Sequence, residues 1–192
     1  NSTFESGGRF VVLGLGQSDE TIIESCDFVA HRMLAFVIQI RGSSQLVMTD
    51  SHVSGSYLST PFLFSAVGSP HIAGCYFENI SRCEDGEAEM AVIAFTSPTL
   101  GLPQGEPLVE RCIFQHNSGV TAVSAYNRDV TVSGSVFYQN EAESESRPSA
   151  LYVDSTTVTL DDVYVCDDSP LSVLCSGLGH GTGQGAHTQN KA

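Results

Sequence analysis

The chain of 192 residues has no tryptophan, one lysine (Lys191) and only eight Lys and Arg residues in all. So few cations exclude a nucleic-acid reader, because neutralising phosphates takes Lys and Arg. They argue equally against docking on an anionic bilayer. Against them stand 22 Asp and Glu, for a formal net charge of −14. Yet charged residues are only 16% of the chain, below the ~25% of typical soluble domains. The acidity therefore reflects missing bases. No apolar run reaches the ~18 residues of a spanning helix, and no stretch keeps a helical period beyond about a turn. Neither Met nor a signal-like segment opens the chain, so Asn1 is expected to be a processed end or the start of a fragment. A hydrophobic content of 41% is too high for disorder throughout. The length suits one domain or one long repetitive body.

What the chain does have is a repeat. One column is an aromatic, or its substitute, two places after a Cys or small residue: Cys26-Asp27-Phe28, Asp50-Ser51-His52, Cys75-Tyr76-Phe77, Cys112-Ile113-Phe114, Ser135-Val136-Phe137 and Val163-Tyr164-Val165. Its successive intervals are 24, 25, 37, 23 and 28 residues. A second column opens short apolar runs at Phe10, Phe36, Phe62, Ala91, Ala122, Ala150 and Ser172, at intervals of 26, 26, 29, 31, 28 and 22. Two independently read columns share a mean period of about 27 residues.

The runs are short, β-branched or aromatic, and bounded by Gly, Ser, Asn or Pro, which is strand chemistry. Ile72-Ala73-Gly74-Cys75 and Val130-Thr131-Val132-Ser133 alternate as half-buried strands do. Several strands per period without a helix indicate a solenoid, each pass forming one rung at roughly 4.8 Å from the next. A propeller blade would need ~40 residues, and a sandwich would not require recurring columns. The longest interruption, residues 97–107, is an insertion, and two acidic insertions cover residues 84–89 and 141–147. The acidic loops are candidates for loose Ca²⁺ binding through carboxylate oxygens, or simply solvated, and no cofactor is expected.

Phe114-Gln115-His116-Asn117 and Phe137-Tyr138-Gln139-Asn140 both read F-x-x-N, and Gly7-Gly8-Arg9-Phe10-Val11 and Ser149-Ala150-Leu151-Tyr152-Val153 look like the G-G-A-[ILV] strand that accompanies it. Together they resemble the right-handed parallel β-helix repeats of polymorphic outer-membrane-protein passengers and, more broadly, the pectin-lyase-like superfold, over residues 7–175. Phe28-Val29-Ala30-His31 carries His at the Asn position, Phe77-Glu78-Asn79-Ile80 carries Asn one place early, and His52 and Val165 stand for Phe. The expectation is an all-β, right-handed parallel β-helix of about six to seven rungs over 1–175, with a Gly-rich irregular tail over 176–192. Phe28, Phe77, Phe114 and Phe137 form its inward ladder. Asn117 and Asn140 are structural corner residues, since Asn tolerates left-handed backbone and bonds nearby backbone groups.

Six cysteines allow 15 pairings. Cys75 and Cys112 should lie on adjacent rungs, within reach of a bridge if geometry permits, although buried unpaired stacking is the default. Cys166 and Cys175 flank the last rung and are expected to clamp it. No Cys/His spacing suits zinc. Sequons stand at Asn1-Ser2-Thr3 and Asn79-Ile80-Ser81. Acidity, sequons, Ser/Thr content and six cysteines favour a secreted or cell-surface location.

The resemblance to the pectin-lyase-like superfold raises carbohydrate chemistry, which needs two placed carboxylates. Asp161-Asp162 and Asp167-Asp168, with His180 in Gly179-His180-Gly181, look like part of a polygalacturonase signature. No Asn-Thr-Asp precedes them and no Arg-x-Lys follows the His. The Gly-rich stretch holding His180 reads as linker, and a catalytic group on a linker is not held to tolerance. The favoured function is a non-catalytic structural or adhesive module at the cell exterior, part of a larger protein or filamentous assembly. Its partners would be other protein subunits or glycans, with end-to-end assembly as one mode. The alternatives are a carbohydrate-active enzyme, either polysaccharide lyase or glycoside hydrolase, and a glycan-binding module.

Overall fold

The computed structural model describes residues 2–6, 13–15, 20–30, 38–40, 45–55, 57–66, 68–83, 90–97, 105–142, 148–154, 156–166, 173–176, 181–184 and 187–188. All but two of the strands fall into three long sheets that the chain visits in rotation; Tyr57–Leu58 and Ser81–Arg82 form a separate parallel pair. The first holds Ser2–Ser6, Cys26–Ala30, His52–Ser54, Tyr76–Glu78, Ile113–Gln115, Val136–Tyr138, Tyr164–Cys166 and His187–Thr188. The second holds Leu13–Leu15, Ile38–Ile40, Leu63–Ser65, Ala91–Thr96, Thr121–Tyr126, Leu151–Asp154 and Val173–Ser176. The third holds Glu20–Glu24, Gln45–Thr49, His71–Ala73, Leu108–Glu110, Val130–Ser133, Val158–Asp161 and Gly181–Gln184. Every strand in these sheets pairs in parallel with the one a circuit away, as in Phe77↔Phe114↔Phe137. The molecule is thus a parallel β-solenoid. With eight, seven and seven strands in the three sheets, it makes seven circuits and one further strand, slightly more than the six to seven rungs expected.

Parallel stacking places like residues over like ones. The inward column of the first sheet runs Phe28, Val53, Phe77, Phe114, Phe137, Val165. All are buried. The Phe77 and Phe114 rings stack with centroids 4.8 Å apart, and Phe114 and Phe137 with centroids 5.0 Å apart. His52, expected in this column, is one place out of register. Strand side chains alternate between faces, so Val53 faces the core and His52 faces solvent. Phe62, from the corner before the second sheet, fills the volume beside Val53. It meets Phe28 and Phe77 edge-on at 5.3 and 6.0 Å. The second column needs a like shift: Val92, not Ala91, is in register with Ala122 and Ala150, because Ile93 pairs with Val123 and Val123 with Leu151.

Two corners carry the bend. Between the third and first sheets a single residue turns the chain: Ser25, Asp50, Gly74, Arg111, Gly134 and Asp162, with φ between 49° and 62°. Five of their N–H groups donate to the next rung's carbonyls, from Ser25 N–H to Thr49 O at 3.1 Å through Gly134 N–H to Asp161 O at 2.9 Å. The residue after each is the Cys-or-small position of the repeat. There Ser51 Oγ accepts from Cys26 N–H at 3.1 Å and donates to Thr49 O at 2.9 Å, and Ser135 Oγ repeats this with Cys112 N–H and Ser133 O.

Between the first and second sheets, Gly55, Asn79, His116 and Gln139 take the left-handed conformation. The ladder Asn follows it rather than adopting it. Buried Asn140 donates from Nδ2 to Phe114 O at 2.9 Å, and its Oδ1 accepts from Asn117 N–H at 3.2 Å and Asn117 Nδ2 at 2.9 Å. Asn117 in turn donates to Phe77 O at 3.1 Å and accepts from Ile80 N–H at 3.0 Å. Asn79 is therefore no displaced ladder residue. It is in register with His116 and Gln139 and exposed, and Ile80 takes the ladder place.

Within the stretch expected to be an irregular tail, two described segments pair with the rung before them. Gly181–Gln184 pairs with Val158–Asp161, and His187–Thr188 with Tyr164–Val165. A backbone ladder needs only N–H and C=O groups, so glycine weakens such a strand without forbidding it.

Candidate functional site

Alternation that turns the phenylalanines inward turns their neighbours outward. On the first sheet the outer residues form two rows. One runs Asp27, His52, Tyr76, Ile113, Val136, Tyr164; the other runs Ser54, Glu78, Gln115, Tyr138, Cys166. Tyr76, Tyr138 and Tyr164 are three of the five large hydrophobic side chains left exposed among the described residues, and a fourth, Tyr57, follows in a short strand, Tyr57–Leu58. His52 and His116 lie edge-on to Tyr76 and Tyr138, with centroids 6.3 and 5.8 Å apart.

Glu78 organises the polar part of this face. Its Oε2 accepts from Gln115 Nε2 at 2.7 Å, and its Oε1 lies 2.9 Å from His52 Nε2. His52 Nδ1 is 3.9 Å from Asp27 Oδ1. The Gln115 hydrogen bond, and then His52, hold the Glu78 carboxyl below its ordinary range against a desolvation penalty. A carboxyl held in its ionised form is a poor general acid at neutral pH.

The carboxylates singled out from the sequence do not converge on this face. Asp161 ends a strand of the third sheet and is exposed, and Asp162 is exposed with its backbone in the left-handed corner. Asp167, Asp168, His180, Asn1 and both acidic insertions beyond Ala142 and Cys83 lie outside the described residues. Among the described residues no group of three or more His, Cys, Asp or Glu could hold a metal ion.

No disulfide is formed among the described cysteines, and Cys75 and Cys112 keep the buried, unpaired stacking that is the default. Cys26, Cys75, Cys83, Cys112 and Cys166 are free thiols. Cys75 and Cys112 do stack on adjacent rungs, but each thiol is engaged as a hydrogen-bond donor. Cys75 Sγ donates to Ala73 O at 3.4 Å, and Cys112 Sγ to Glu110 O at 3.4 Å. The neighbouring Cys75 thiol, together with burial, pushes the Cys112 thiol far up. Cys166 stands on the outer face, whereas the side chain of Cys175 lies outside the description, so the expected clamp is replaced by a free, half-buried Cys166.

One charged side chain among the described residues is inside, and periodicity gives no sign of it. Arg128, at the corner between the second and third sheets, is 3% exposed. Its Nη1 donates to Ser65 O and Ser65 Oγ at 3.1 Å each, and its Nη2 donates to Gly68 O and, at 3.2 Å, to Gly105 O. The guanidinium carbon lies 5.9 Å from the Phe95 ring centroid. Burial lowers its pKa to about 10, which leaves it charged at neutral pH. Held by carbonyls of two other corners, it ties corners together and leaves no donor aimed at solvent from those contacts.

A family model described as a right handed beta helix region matches residues 1–164. No curated protein and no solved structure matches the chain.

Proposed function

The chain belongs to the right-handed β-helix family, and from that premise we propose that it is a non-catalytic structural or adhesive module of the cell exterior whose contact surface is the outer face of the first sheet. The observation that carries this reading is the set of exposed tyrosines, Tyr76, Tyr138 and Tyr164, held on a rigid strand scaffold beside an ionised Glu78. Scattered apolar residues on a surface need no explanation, whereas three of the five exposed large hydrophobic side chains among the described residues falling on one face do. The enzyme alternative has less support, because Asp161 and Asp162 sit on another sheet and its corner, and Asp162 serves the bend.

The exterior location is supported by the acidity of the chain and by Asn79, whose sequon presents an exposed side chain at a corner. It draws nothing from disulfides, since the described cysteines are unpaired. The test is a panel of acidic and neutral polysaccharides, followed both for retention on immobilised protein and for release of reducing or unsaturated ends. Retention without turnover, reduced by the triple variant Tyr76→Ala, Tyr138→Ala, Tyr164→Ala, is the expected outcome for a glycan partner. Turnover abolished by Asp161→Asn or Asp162→Asn would overturn the reading.

A further inference from the structure

We infer that the outer face of the first sheet docks a cationic segment of a partner protein, laid across the rungs with Lys or Arg side chains over its tyrosines and one cation against Glu78. The inference rests on the reading that this face is the contact surface, and it names the partner's chemistry.

Three observations carry it. Tyr76, Ile113, Val136 and Tyr164 occupy one row on four consecutive rungs. At roughly 4.8 Å per rung the row is about 14 Å long, an aliphatic centre between two phenol rings. Such a row suits the methylene stem of Lys or Arg, and the rings suit its charge, because a cation over an aromatic face is attracted by the ring quadrupole.

The second observation is charge. Among the described outward residues of this face are Asp27 and Glu78 and no Lys or Arg. The chain as a whole carries −14, so its field draws in a basic partner and repels a second copy of itself.

The third is the hydrogen-bonding inventory. Each Glu78 oxygen has one partner on the face and keeps a lone pair for a further donor. Gln115 already gives its amide to Glu78, and Ile113 and Val136 offer no polar atom.

The test uses the full chain, with hexa-arginine as the probe and hexaglutamate and cellohexaose as comparisons, read by backbone amide shifts and calorimetry. Hexa-arginine should shift Tyr76–Glu78, Ile113–Gln115, Val136–Tyr138 and Tyr164–Cys166. Glu78→Gln should weaken binding about fivefold, and the triple tyrosine-to-alanine variant about tenfold or more, with the triple tyrosine-to-phenylalanine variant largely retaining it. Glu20→Gln removes the same charge from an exposed position at the start of a third-sheet strand, away from this face, and should change affinity less than about twofold. Equal losses for Glu78→Gln and Glu20→Gln would reduce the effect to diffuse attraction and overturn the inference. If cellohexaose alone shifts the tyrosine strands, the cationic partner is wrong and the contact-surface reading survives. If neither probe shifts them, both fall.

Discussion

Between Phe77 and Phe137 the inward column of the first sheet holds three phenylalanines on consecutive rungs, their rings 4.8 and 5.0 Å apart and within 7° of parallel. One rung before Phe77, Val53 interrupts the column, and Phe62 reaches in from the next corner to meet Phe28 and Phe77 at 79° and 71°. The first region repeats a residue; the second repeats only a volume. The first also carries the Asn117–Asn140 ladder, whereas the adjoining rung puts apolar Ile80 at that place. A solenoid core thus asks each level to be filled and its backbone groups satisfied, and it accepts different residues as long as both conditions hold.

The sharpest way to break the regular region is Phe114→Ala, which removes a ring stacked on both sides. A loss of about 3–5 kcal/mol in urea unfolding is expected, larger than for any other change considered below. Asn140→Ala should follow at about 2–3 kcal/mol, since it leaves Asn117 N–H and one Asn117 Nδ2–H without their acceptor in the interior and removes the side-chain donor to Phe114 O.

The irregular region offers a complementary test. Val53→Phe restores the repeat in sequence but collides with Phe62, so it should destabilise by about 1–3 kcal/mol. Adding Phe62→Val should recover most of that loss, giving a clear coupling in a double-mutant cycle. Purely additive losses would mean that Phe62 does not occupy the volume beside Val53.

The smallest expected effect lies on the outer face and depends on pH. Folding depresses the Glu78 pKa from 4.5. Its contribution is therefore present above about pH 4.5 and lost as pH falls through the lower folded value. Gln115→Leu removes the principal cause. Its destabilisation, below about 1 kcal/mol for so solvated a pair, should be visible at pH 7 and vanish near pH 2.

The period, the strand type and the inward phenylalanines were legible from spacing alone, because parallel stacking forces like residues to recur. Register was less so. Asp50-Ser51-His52 mimics the repeat one place early, and only the pairing Val53↔Phe77 shows which residue faces in. Asn79 misled for a related reason: two adjacent corner positions both suit Asn, one for its backbone and one for its side chain. The outer tyrosines follow from alternation around Phe77, Phe137 and Val165, but alternation gives the face of a side chain and not how exposed it stays. Arg128 had no periodic signature, since its partners Ser65, Gly68 and Gly105 come from other circuits brought together only by coiling.

Successive turns hold like residues in register, burying the phenylalanines and presenting the tyrosines. Nuclear Overhauser contacts among selectively labelled aromatic rings report on that register. Strong ring-to-ring contacts are expected for Phe77 with Phe114 and for Phe114 with Phe137, an edge contact for Phe62 with Phe28, and none between Phe77 and Phe137. A Phe114 ring in contact with neither Phe77 nor Phe137 would contradict it.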